Sequence, residues 1–145
     1  MSYVSYFTTL KPPNVAAFLL EVKLQRNMDL VRHILKTIEA ADDPLSLDDF
    51  EYKDCSQEML LYHLKLLQDQ GFIDGVIATD DLGEYLRIRI DALTWSGQDF
   101  LSALSDQRVW KKVKDILAKS VGTTTFAVIK QTAELVAIQL IKKHL

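Results

Sequence analysis

The feature that most constrains the fold is a change of apolar period at a single glycine. Leu60, Leu64 and Leu67 recur at helical spacing up to Gly71. Beyond it, Phe72 to Thr79 and Glu84 to Leu93 are extended in pattern, and Tyr85-Leu86-Arg87-Ile88-Arg89-Ile90 alternates residue by residue. A period near 3.6 belongs to a helix with one apolar face, and a period of 2 to a strand. Glycine at the junction suits the left-handed C′ position that ends a helix. Asp80-Asp81-Leu82-Gly83 supplies a turn between the strands. The sequence thus predicts a helix that folds straight back into a β-hairpin, with Phe72 and Ile73 returning onto it.

The flanking segments extend this order. Asn27 is placed to cap a helix over 28–41, with Asp29 in its first turn. Met28, Val31, Ile34, Leu35 and Ile38 form its inner stripe, and Arg32, His33, Lys36 and Glu39 its outer face. Asp42-Asp43-Pro44 stops it. Leu45, Leu47 and Phe50 are expected to anchor one helical turn, followed by a brief strand at Glu51-Tyr52-Lys53. Asp54 with Gln57, or Ser56 alone, caps the helix that ends at Gly71. After the hairpin, Thr94 or Ser96 caps a helix through Leu104, with Trp95, Phe100 and Leu101 facing inward. A further helix covers about 106–119, and Thr123 to Thr125 cap a last one. Before Asn27 the signal is mixed: Pro12-Pro13 break any helix, and 14–25 lean to helix over strand.

Helix, short turn or strand, helix, hairpin, then helices is the order of a winged helix-turn-helix. The predicted class is α+β, with a β-hairpin wing and a C-terminal helical appendage. The expected organisation is an N-terminal extension over 1–26, a winged-helix core over 27–105, and C-terminal helices over 106–145 that pack on the core and can dimerise.

Composition narrows the function classes. With 145 residues, 48 % hydrophobic and 26 % charged, the chain can bury a real core. One cysteine excludes a disulfide framework and any multi-cysteine zinc site, and points to a reducing, cytoplasmic home. No apolar run approaches a membrane span, and the first residues lack the pattern of a secretory signal. The net charge of −3 hides a division. Residues 28–105 carry six basic against sixteen acidic residues, a charge of −10. Residues 106–145 carry eight basic against three acidic, a charge of +5.

Candidate chemistry is sparse. His33, His63, His144 and Cys55 are the only soft metal ligands, and no two stand at i, i+4 spacing, so no metal site is expected. Cys55 lies near a helix start, where a thiol pKa can fall, with His63 eight residues on, but no glycine-rich oxyanion loop accompanies them. No phosphate- or dinucleotide-binding glycine pattern exists, so neither a catalytic residue nor a cofactor is assigned.

The remaining candidates are surfaces. The presumed recognition helix would show Gln57, Glu58, Leu61, Tyr62 and Lys65, and the wing Arg87 and Arg89. One of the five helix residues is acidic and two are large and apolar, which is unlike a groove-reading helix. Leu61 and Tyr62, near Met59 and Leu66, read either as a protein-contact patch or as a surface covered by the C-terminal helices. Arg108, Lys111, Lys112 and Lys114, with Lys119 beyond, form a basic patch that is either a solvated face or a phosphate contact. The last helix carries two apolar stripes, Phe126, Ile129, Ala133, Val136 and Leu140, and Val128, Leu135, Ile138, Ile141 and Leu145. So wide a surface needs two partners, the winged domain and either a second copy of the chain or the N-terminal segment; Ile129, Val136, Ile138 and Leu140 are the candidate dimer seam.

Four segments, in order, resemble one family. They are Met28-Asp29-Leu30-Val31-Arg32, Tyr62-His63-Leu64-Lys65-Leu66-Leu67, Leu93-Thr94-Trp95-Ser96-Gly97-Gln98-Asp99-Phe100-Leu101, and Val109-Trp110. Together they resemble a bacterial and prophage domain family of unknown function, distantly similar to YjcQ-type winged helices. The resemblance covers about 24–145 and implies the winged-helix core, but brings no activity with it. Leu24 stands where that family usually begins with Met, so residues 1–23 are either upstream of the true start or a genuine extension. The expected function is a non-enzymatic, prophage-type winged-helix protein working through protein partners or as a homodimer. The alternative is a dimeric DNA-binding transcriptional regulator, which the acidic core disfavours.

Overall fold

The computed structural model describes residues 26–79, 85–119 and 125–143. Within them the chain forms α1 (Met28–Ala40), a 3₁₀ turn (Leu47–Asp49), α2 (Gln57–Asp69), β1 (Ile73–Thr79), β2 (Tyr85–Leu93), α3 (Trp95–Leu104), α4 (Gln107–Ala118) and α5 (Phe126–Lys143). Helices dominate, and the two strands form an antiparallel hairpin, so the fold is α+β with a winged-helix-like order. The helical lean of 14–25, the hairpin turn at 80–83 and the caps expected at 123–124 lie outside the described residues.

The α2–hairpin junction forms as its glycine requires. Ser56 caps α2, its hydroxyl accepting from Met59 N–H, while Asp54 occupies the left-handed region at φ 59° in the preceding turn. At the other end Gly71 has φ 80°. Its N–H donates to Gln68 C=O, and Phe72 N–H donates to Leu67 C=O at 2.9 Å. These are the paired bonds of a Schellman cap. Phe72 C=O then accepts from Thr94 N–H, and Thr94 Oγ1 caps α3 through Gly97 N–H. A methyl at Gly97 would stand 2.0 Å from Phe72 O, so α3 lies directly on the backbone that leaves α2.

This close approach explains why Trp95 does not face inward. The buried stripe of α3 is Gly97, Phe100, Leu101 and Leu104. Trp95 stands two residues before Gly97, about 200° around the helix, and is 85 % exposed.

The expected strand at 51–53 is also displaced. The third strand-like element is Leu45, which pairs with Ile90 through both backbone hydrogen bonds. Glu51 C=O is instead held at 2.7 Å by His33 Nε2, and Asp54 turns the chain. Two residues of the predicted outer face of α1 are likewise engaged. Arg32 donates to Leu104 C=O at 2.8 Å and Ser105 C=O at 3.0 Å, and His33 lies against Tyr52.

One apolar core runs through all five helices and the hairpin, so both sides of residue 105 share it. The rings of Phe72, Phe100 and Phe126 meet pairwise with centroids 4.8–5.4 Å apart, joining the α2–β1 turn, α3 and α5. Gly97→Ala should lower unfolding stability by about 1–3 kcal/mol through overpacking against Phe72. Gly71→Ala should cost about 1–2 kcal/mol through left-handed strain. Urea denaturation of both variants checks the two losses.

Candidate interaction surface

The presumed recognition surface is smaller and less basic than the pattern implied. Leu61 is 3 % exposed, because it widens the apolar stripe of α2 beside Leu60 and Leu64 and so leaves the contact surface. Tyr62 is half-buried, and Gln57, Glu58 and Lys65 are exposed. Lys65 pairs with Asp69 one turn on, at 3.4 Å. On β2, Arg89 pairs with Asp91 at 2.8 Å, and the carboxylate's hydrogen bond holds the guanidinium pKa above its ordinary value. Arg87 is exposed.

The basic patch on α4 divides in the same way. Arg108 pairs with Asp106 at 3.2 Å, whose carboxyl is held below its ordinary range by that bond and by the Arg108 and Val109 amides it caps. Lys114 pairs with Asp29 at 3.2 Å. Lys111 and Lys112 are exposed and in no ion pair among the described residues. On α5, Ile129 and Val136 are buried in the intramolecular core, because they face the same side as Phe126 and Ala133. They therefore leave the candidate seam, in which Leu140 is half-buried and Ile138 is exposed.

His63 is the one fully buried polar side chain among the described residues. Its Nδ1 lies 2.7 Å from Met59 C=O, and its Nε2 accepts from Asn27 N–H at 2.7 Å. These partners fix a neutral ring that carries its proton on Nδ1. Burial pushes the imidazole pKa below its ordinary value, the Met59 bond opposes this, and Arg26 adds to it. With both nitrogens occupied, His63 has none to offer Cys55 as a base. Cys55 lines a cleft of about 400 Å³ with Leu47, Phe50 and Tyr52, and burial raises its thiol pKa, opposite to the fall that a helix start can bring. Among the described residues, no three His, Cys, Asp or Glu side chains could hold a metal ion together, and no helix is long and apolar enough to cross a membrane.

The four segments that carry the resemblance converge on these contacts. Trp110 Nε1–H donates to Asp29 at 2.8 Å, with Arg32 and Lys114 over the indole, each 5.8 Å from its centroid. His63 holds the start of α1, and Thr94 and Gly97 seat α3 on Phe72. The segments thus mark tertiary clamps. The need of a buried indole N–H for an acceptor was the signal available for the Trp110 clamp.

A family model described as "Hypothetical protein (DUF2513)" matches residues 25–124. A protein of Haemophilus influenzae, named "Uncharacterized protein", is 29 % identical over 119 residues, covering 81 % of this chain and 99 % of that protein.

The buried histidine sets a pH dependence. Its folded pKa lies below the unfolded value of about 6.5. Stability is therefore complete above that pH and falls as pH drops through it, because the unfolded chain takes a proton that the native ring refuses. The loss should not exceed about 1.4 kcal/mol per pH unit. Urea titrations between about pH 7.5 and 5.5, above the carboxylate range, should show this slope, and His63→Gln should flatten it.

Proposed function

The chain belongs to the DUF2513 family, and we propose that within it this protein is a non-enzymatic, prophage-type winged-helix module whose acidic α2 and hairpin surface contacts another protein. One observation carries the reading: Lys65 and Arg89, two of the three cations on the presumed recognition helix and wing, are paired with carboxylates of their own elements. A cation already neutralised releases few counterions from a phosphate backbone, and such release supplies nearly all non-specific DNA affinity. Glu58 is exposed on the same helix, and Asp74 on β1. The surface therefore favours a partner with complementary basic and apolar groups. The half-buried Tyr62 gives it an aromatic anchor, a residue type enriched at protein interfaces.

The alternative, a dimeric DNA-binding regulator, is supported by exposed Lys111 and Lys112 on α4. Fluorescence anisotropy with random duplex DNA at two salt concentrations separates the readings. No binding is expected at physiological salt, and weak binding at low salt should vanish with Lys111→Glu and Lys112→Glu together but persist with Lys65→Glu. Micromolar or tighter binding lost in Lys65→Glu or Arg87→Glu overturns the protein-contact reading.

A further inference from the structure

The outward face of α5 is apolar and open. Leu135, Ile138 and Ile141 are 59 %, 48 % and 62 % exposed. Ile141 also borders a groove of about 510 Å³ between α3, α4 and α5, which Ala103, Val109 and Leu140 help to line. Glu134 and Lys142 stand beside the stripe, one charge of each sign. A nucleic acid or an anionic membrane would need a run of cations there. The face instead suits an apolar partner with little net charge.

One such partner belongs to the same chain. Of the twelve residues 14–25, eight are apolar, and Glu21 and Lys23 cancel in charge. Val15, Phe18, Leu19 and Val22 recur at i, i+3, i+4 and i+7, the spacing of one helical face. Such a face requires an apolar surface to cover it. The segment leads into Arg26, whose guanidinium lies over the Phe126 ring, 4.8 Å from its centroid. Phe126 is the first residue of α5. The chain outside the described residues is therefore delivered to the start of the helix whose outward face is open.

We infer that residues 14–25 form a helix that lies antiparallel on the outward face of α5 and covers Leu135, Ile138 and the mouth of the groove at Ile141. The reach fits. Twelve residues of helix span about 18 Å, and Ile138 stands twelve residues, again about 18 Å, beyond Phe126 along α5. Residues 1–13 remain to extend past Ile141. A second copy of the chain could cover the same stripe only at its own solution concentration. A segment joined to the domain at Arg26 is presented at an effective concentration in the millimolar range. At micromolar protein the chain's own segment therefore occupies the face first. This docking is independent of what the α2 surface contacts.

Hydrogen exchange of the full chain, read by mass spectrometry, tests the docking. Amides of residues 15–24 should exchange at least about tenfold more slowly than those of an unstructured peptide. Ile138→Glu, at a half-exposed position, should return them to the unstructured rate while α1 and α2 stay protected. Phe18→Glu should do the same from the side of the segment. Trp95→Glu, at the exposed indole of α3, should leave them protected. Protection should not change on dilution through the micromolar range. Unprotected amides in the wild type overturn the docking. So does protection that survives Ile138→Glu, or that is lost only in Trp95→Glu, since either places the segment elsewhere. Protection that falls on dilution also overturns it, by handing the stripe to a second copy.

Discussion

Phe72 is the residue on which the rest of the structure depends. Its N–H closes the cap of α2 on Leu67, its C=O takes the Thr94 N–H that starts α3, and its ring packs against Phe100 and Phe126. Helix, hairpin and C-terminal helix thus meet at one side chain and its own peptide groups. Gly71 before it must turn left-handed, and Gly97 opposite it must lack a side chain. Buried backbone groups require partners, and here each partner belongs to a different element. A small α+β chain with a two-stranded sheet gains cooperativity from such a junction, since a lone hairpin is marginal in water.

The second organising contact is polar. Asp29 and Arg32 on α1 reach across to α4 and to the end of α3. Asp29 accepts from the Trp110 indole, and Arg32 caps the last carbonyls of α3. His63 fastens the first turn of α1 to α2 from the other side. These three residues lie within segments that carry the family resemblance. What those segments fix is therefore the setting of α1 against its neighbours, a structural role.

Charge pairing shapes those outer surfaces. The chain separates its charge along its length, yet most cations on the presumed recognition elements are neutralised locally. The pairs are exposed and each adds little to stability. Their larger effect is on recognition, because they remove positive potential from the surface that a nucleic acid would meet. The outward stripe of α5 offers apolar groups with one charge of each sign at its ends.

The sequence by itself determined the order of elements, because the signals there are local. The period change at Gly71, the caps at Asn27 and Ser56, and the inner stripes of α1 and α2 depend only on neighbours along the chain. It also held the family resemblance, although not its structural meaning. Tertiary structure alone decided the facing of residues whose partners are distant. Trp95 turns outward because Gly97 must face Phe72. Leu61 sinks because α2 buries a wider stripe than its three leucines implied. The third strand-like pairing moves to Leu45 because Ile90 offers it both backbone groups while His33 takes the Glu51 carbonyl. Of the candidate surfaces, residue types were visible in the sequence, but pairing and exposure were not. Ile129 and Ile138 lie on opposite apolar stripes of one helix, and only the packing of α5 on α3 and α4 decides that the first is buried and the second exposed.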